Sequence, residues 1–317
     1  MYFEFLKSLG FTPPATPGST GSASISGAGW TTYDSTQELI WVATGTKALG
    51  INPISLSTVV TSVTFSSTPQ IVYDPTQNLV WVADATNNTI KAISPITGSL
   101  VTTCSLTISP VALVYDAYNN NIWYSDSGSK IGRINASNGS LGTTISTAHL
   151  ASPASMSYDD ANNRLWYLST VSAGNNALSY IPGSTNTPVT TSLTDASLSG
   201  SEAQTGCFYD PQHNVVWVTT GSGTTNHIYR WDVPTSVTSG TVTLGSGVAA
   251  VGTTLDGTNA LWACLKTSLQ QYNSSTLATG LSASILATVN VSYDSSTHRL
   301  WASQTTGTPG LYWYQLA

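Results

Sequence analysis

Charge is scarce in this chain, with only 8% of its 317 residues being Asp, Glu, Lys or Arg. The nine Lys and Arg form no run and the net charge is −6, which argues against a nucleic-acid surface and a polybasic membrane patch. Solubility must therefore rest on the abundant Ser, Thr, Asn and Gly. Cysteine is equally sparse: Cys104, Cys207 and Cys264 are odd in number and far apart, so they are read as buried reduced thiols and not as a disulfide framework. No run approaches the roughly 20 apolar residues that a membrane crossing needs. The opening MYFEFLKSLGF has no basic leader or small-residue cleavage site and carries Glu4 and Lys7, so no secretory signal is expected and the chain should fold in a cytoplasm.

What the chain does have is a repeat. Asp34/Trp41, Asp74/Trp81, Asp116/Trp123, Asp159/Trp166, Asp210/Trp217, Asp256/Trp262 and Asp294/Trp301 recur with successive aspartates 40, 42, 43, 51, 46 and 38 residues apart, and a tyrosine usually precedes the aspartate. Seven of the fifteen acids are these aspartates. Before each tryptophan stands an aliphatic residue, from Ile40 through Leu300, so both faces of that strand are apolar and both must be covered. A second pattern follows, of apolar pairs three apart ending in a turn-former, as in Ile90/Ile93/Ser94 and Leu269/Tyr272/Asn273. Turn-rich segments then lead to Thr/Val-rich stretches such as Leu100 to Leu106.

Each repeat thus reads as four antiparallel strands, A to D, with A ending at the aspartate and B holding the tryptophan. The expected fold is all-β: a seven-bladed β-propeller. The last repeat stops after its C strand, and counting back from Asp34 places the missing fourth strand within Ser19 to Ser26, closing the ring. The domains follow as 1–18, a docking peptide with a Pro/Gly linker, and 19–317, the propeller.

Segments such as IVYDPTQNLVWVADATNNTIKAISPITGSLV resemble repeats of the NHL, YVTN and streptogramin-lyase-like group of propellers, over about residues 20 to 317. The resemblance implies the fold; the group's functions range over lyases, lactonase-like enzymes, adhesins and protein- or RNA-binding scaffolds.

A site needed once would not be copied into every blade, so the seven aspartates are read as turn residues whose carboxylates accept backbone N–H bonds, and the tryptophans as core. Trp30 and Trp313 fall outside the repeated core positions. Trp30, four residues before Asp34, either reaches the channel mouth or fills the pore. The D–A and B–C loops gather on one face around the channel, and there Asp84, Asp126, Asp195, Glu202 and His227 join Trp30 as a ligand face. Lone carboxylates such as Asp84 and Asp126 could help hold a cation, with solvated loop ends as the alternative. Streptogramin-lyase-like enzymes, as the resemblance implies, use His and Glu with a divalent ion on that face; only His149, His227 and Glu202 could serve here, and no local motif joins them. No cofactor is expected.

The apolar Tyr2, Phe3, Phe5, Leu6, Leu9 and Phe11 precede a Pro/Gly spacer and are not needed for closure, so they read either as a docking element for a partner or as a segment folding back on the propeller. A low-charge, unsignalled propeller with such a hook resembles a phage virion component. That resemblance implies assembly in a host cytoplasm, virion or assembly proteins as partners of the hook, and a host surface protein or glycan at the loop face, with neither nucleic acid nor membrane insertion. A lyase- or lactonase-type enzyme and an extracellular adhesin are the alternatives.

Overall fold

The computed structural model describes residues 16–67, 70–147, 155–172, 175–185, 187–191, 204–221, 226–244, 248, 250–265, 268–285, 290–304 and 309–317. Its strands form seven four-stranded antiparallel sheets. Blade 1 is built from Thr31–Asp34, Leu39–Ala43, Ala48–Ile51 and Thr58–Thr61, in that order from the channel outward. Blades 2 to 6 repeat the plan, beginning with Ile71–Asp74, Ala112–Asp116, Met156–Asp159, Gln204–Asp210 and Gly252–Leu255. Blade 7 combines Val291–Asp294, Arg299–Gln304 and Gly310–Gln315 with Thr20–Ser24 as its outermost strand. The closure strand expected from counting is therefore present, paired Thr20↔Tyr314 through Ser24↔Gly310, and the tie begins at Gly18, whose N–H donates to the Gln315 carbonyl at 2.9 Å.

The core is divided into seven slabs, one at each blade boundary. Every motif tryptophan faces the next blade and the aliphatic residue before it faces the previous one. Trp123, for instance, packs with Tyr158 and Leu165 of blade 4, while Ile122 packs with Trp81 of blade 2. This is the period-two alternation of a strand covered on both sides, and the seven tryptophans are at most 1% exposed.

The spacing of Asp and Trp has a physical cause that the sequence reading did not reach. One carboxylate oxygen of each aspartate accepts backbone N–H bonds of the A–B turn, as Asp34 does from Thr36 and Gln37, both at 2.9 Å. The other oxygen accepts the indole N–H of the tryptophan on the next strand, at 2.7 to 3.5 Å in the seven blades. Buried carboxylates are costly unless fully hydrogen-bonded. Here a turn and an indole jointly satisfy each one. The turn itself carries a left-handed residue, which is Asn at positions 78, 120, 163, 214 and 259 and Glu38 or His298 in the other two blades. Asparagine tolerates that conformation best after glycine.

The tyrosines form a belt on this turn face. Tyr73 donates to Asn78 of its own turn at 2.9 Å and bonds the Thr36 hydroxyl of blade 1 at 2.6 Å, and Tyr115 repeats the pattern with Asn120 and Thr76. Tyr158 accepts from Asn119 of blade 3 at 2.8 Å. Tyr293 bonds the Gly257 backbone, and Tyr33 bonds Ser296 across the ring closure. Burial, reinforced by the turn aspartates, raises the phenol pKa of Tyr73 from 10.0 to about 12, and Tyr33, Tyr115, Tyr158, Tyr209 and Tyr293 shift in the same direction.

The fold thus favours the neutral phenols, and their contribution is complete below the unfolded value near pH 10. It is lost as pH rises from about 10 through the folded values, about 12 for Tyr73. We expect the melting temperature to fall between about pH 10 and 12, and Tyr73→Phe to fall less steeply; equal slopes for the two proteins would contradict the belt's role.

Blade 6 departs from the pattern. Its A–B turn is one residue shorter, pairing Leu255 with Leu261, six apart, where Tyr33 pairs with Ile40, seven apart, so Asp256 lies beyond the end of its strand. It is also the blade whose aspartate follows leucine and not tyrosine.

Candidate functional site

The A strands converge on a cavity of about 240 Å³ at the loop face, lined from all seven blades, with Trp30, Gln70, Leu113, Ser155, Phe208, Gly252 and Asn290 among its walls. This is the mouth of the central channel. Trp30 lines it half-buried and packs against the slab between blades 1 and 2.

The polar residues around the mouth have structural work. An A strand is the inner edge of its sheet, and its outward N–H and C=O groups need partners. Asn290 supplies them between blades 7 and 1, accepting from the Thr31 N–H at 3.1 Å and donating to the Thr31 carbonyl at 3.0 Å. Gln70 accepts the Leu113 N–H between blades 2 and 3. Ser155 and Ser157 accept those of Cys207 and Tyr209, at 2.6 and 2.8 Å, between blades 4 and 5. Thr205 donates to the Ala250 carbonyl between blades 5 and 6. These side chains stitch neighbouring blades together where strand pairing cannot. They left no signal in the repeat, because these four boundaries use different residues.

Cys207 also lines the mouth, but burial pushes its thiol up to about 12, against a lowering by Ser155, so it stays protonated and unreactive. All three cysteines are buried and free, as expected.

The candidate carboxylates of the loop face are engaged in the fold. Asp84 is fully buried and accepts from Asn87 at 2.9 Å, Ser66 N–H at 3.2 Å and Lys91 Nζ at 3.3 Å. Burial acts to raise its pKa, but these donors outweigh it and hold the carboxyl below the usual carboxylate range. It joins a D–A loop to its own B–C turn. Asp126 accepts the Gly128 and Lys130 N–H groups, both at 2.9 Å, closing the B–C hairpin of blade 3. His227 begins strand C of blade 5, stacks against Tyr229 at 5.3 Å, and donates its N–H to Thr220 at 2.7 Å. It stands two strands out from the channel, so the structure brings Trp30 and His227 onto one face without bringing them together. Asp195, Glu202, His149 and the whole set Tyr2, Phe3, Phe5, Leu6, Leu9 and Phe11 lie outside the described residues. Among the described residues, no three His, Cys, Asp or Glu side chains group closely enough to share a metal ion.

Trp313 has a role that the repeat could not foretell. It lies over Gly21 of the closure strand, where an added Cβ would sit 2.4 Å from the indole, and its ring stacks on the Arg299 guanidinium at 4.1 Å. Arg299 is also 6.0 Å from the Trp301 ring and donates to Gln315 at 3.0 Å. The latch is a glycine under an indole, backed by a cation.

Comparison with known proteins gives matches at the level of structure. No family model matches the sequence, and no curated protein matches it. The hydrazine synthase of Kuenenia stuttgartiensis superposes with a TM-score of 0.76 at 10% identity, covering 92% of this chain and 96% of that one. A virginiamycin B lyase from Staphylococcus aureus superposes with a TM-score of 0.72 at 14% identity, covering 94% of this chain and 99% of that one. At such identities the likeness establishes the architecture: the protein is a seven-bladed β-propeller.

Proposed function

We propose that the protein is a non-catalytic binding propeller of a virion, held by its N-terminal peptide and presenting the channel mouth to a surface protein or glycan. The observation that carries this reading is the position of the closure strand. Thr20–Ser24 is the outermost strand of blade 7, and it starts on the A–B turn face and runs toward the loop face. The chain preceding Thr16 is therefore joined to the ring at the outer rim of the turn face, opposite the cavity bounded by Trp30 and Phe208. The first described residues and the mouth lie on opposite faces, which suits a module anchored on one side and exposed on the other. The engagement of Asp84 and Asp126 within the fold fits a surface that recognises by shape and hydrogen bonding.

The test is a truncation to residues 16–317, which keeps the Gly18 bond to Gln315. Purified particles from the cell that encodes the protein should carry the full chain, detected by antibody, while the truncated chain stays in the supernatant with an unchanged melting temperature. A full-length chain that sediments free of particles, or a truncated one still incorporated, would refute the reading.

A further inference from the structure

Blade 6 breaks the tyrosine belt, and the break coincides with a cleft. In the other blades the tyrosine before the aspartate reaches toward the A–B turn of the preceding blade. At that register blade 6 has Leu255, which packs inward with Val215 and Trp217 of blade 5 and has no hydroxyl to extend to the turn Gln212–His213. Between those turns lies a hollow of about 510 Å³, lined by blade 5 residues Gln212 and His213 and by blade 6 residues including Asn259, Gln271, Asn273 and Thr279. In blade 3, whose A–B turn is one residue longer, a hollow along Asn121, Arg133, Asn135 and Gly142 is lined by that blade alone, at about 340 Å³. The shortened turn of blade 6 thus borders a hollow shared with the blade 5 turn, on the face opposite the channel mouth.

The chemistry of the lining selects a ligand. It offers carboxamides, hydroxyls and one imidazole, with no Lys or Arg for an anion and no exposed aromatic wall for an apolar group. The imidazole is held in place: His213 Nδ1 lies 2.8 Å from Asp210 Oδ2, and Asp210 is fully buried. That bond commits Nδ1 and leaves Nε2 as the ring nitrogen available to the cleft. Gln271, whose Oε1 accepts the Leu281 N–H at 3.2 Å, is likewise fixed. Paired donors and acceptors on fixed side chains match vicinal hydroxyls, and the volume falls in the range of small-molecule sites.

We infer that the cleft between blades 5 and 6 is a binding site for a neutral saccharide, with His213, Gln212 and Asn273 as its recognising side chains. The inference concerns the turn face and stands whether or not the loop face binds a partner.

The experiment titrates the full-length protein with a panel of neutral sugars (glucose, galactose, mannose, N-acetylglucosamine and their β-linked disaccharides), followed by NMR saturation transfer and calorimetry. At least one should bind with a Kd of about 1 mM or tighter. Gln212→Ala removes a lining carboxamide and should weaken binding at least about tenfold while leaving the melting temperature unchanged. His213→Asn, which keeps a bond to Asp210 but removes the ring, should weaken binding comparably without unfolding the turn, so the test survives a failure of the first variant to fold. No binding by any sugar of the panel, or binding that both variants leave unchanged, would overturn the assignment.

Discussion

Replacing Trp123 with alanine should destabilise the ring by about 3 to 5 kcal/mol, as large-to-small changes in a packed core do. The indole is fully buried in the slab shared by blades 3 and 4, against Ile131, Tyr158, Leu165 and Ile181. Its removal opens a void between two sheets that are each held by their own strand pairing, so neither can collapse freely into it. It also takes away the 3.0 Å bond to Asp116, although Asn119 still supplies that carboxylate with backbone and side-chain donors. Arg133, 5.6 Å from the ring, loses its stacking partner as well. Trp123→Phe separates the contributions, since it retains most of the apolar area but not the N–H. A cost of roughly half is expected, because a hydrogen bond to a charged group contributes about 1.5 to 3 kcal/mol. Urea unfolding of the three proteins measures both, and a loss under about 1 kcal/mol for the alanine variant would contradict the burial.

Removal of residues 1–24 should be more damaging still, whereas removal of residues 1–15 should leave the head intact. The longer truncation takes the whole ladder from Thr20↔Tyr314 to Ser24↔Gly310 and uncovers the indole of Trp313. It also exposes the hydrogen-bonding edge of Gly310–Gln315, a strand that reads Gly-Leu-Tyr-Trp-Tyr-Gln and carries no charge. An unprotected apolar edge of that kind is a template for pairing with other chains. We expect aggregation or dimerisation in gel filtration for 25–317 and a monomer for 16–317. Gly21→Val is the point-mutation counterpart, driving a side chain into the Trp313 ring at the 2.4 Å approach. If 25–317 remained monomeric with an unchanged melting temperature, the closure would be ornamental.

The propeller was legible because its two strongest requirements are repeated. A strand covered on both faces needs apolar residues at consecutive positions, and Val80-Trp81-Val82 and its six counterparts announce it. The ring closure was legible from the shortfall of one strand at the end of the chain. The Asp–Trp pairing itself was visible as a spacing of seven, six in blade 6, but its cause, an indole reaching back across the hairpin to the turn carboxylate, is a cross-strand contact that no linear pattern states. The inner-edge stitching by Asn290, Gln70, Ser155 and Thr205 was illegible for the opposite reason, since these four boundaries solve the same hydrogen-bonding problem with different residues. For Asp84 and Asp126 the position was readable and the engagement was not. Asp84 and Asp126 do stand beside loop-face turns, yet only the structure gives the donors that occupy them. The His213–Asp210 pair and the cleft beside it were not legible, because they depend on how the turns of blades 5 and 6 meet in space.

A chain that emerges from the ribosome N-terminus first presents Thr20–Ser24 long before Gly310–Gln315 exists. At ordinary elongation rates the interval is on the order of 15 to 60 s. Throughout it the first strand of the ring has no mate, and its composition suits the wait: Thr-Gly-Ser-Ala-Ser offers nothing apolar to a neighbouring nascent polypeptide. The greasy half of the seam, Leu311 to Tyr314, is made last, when its partner is already at hand.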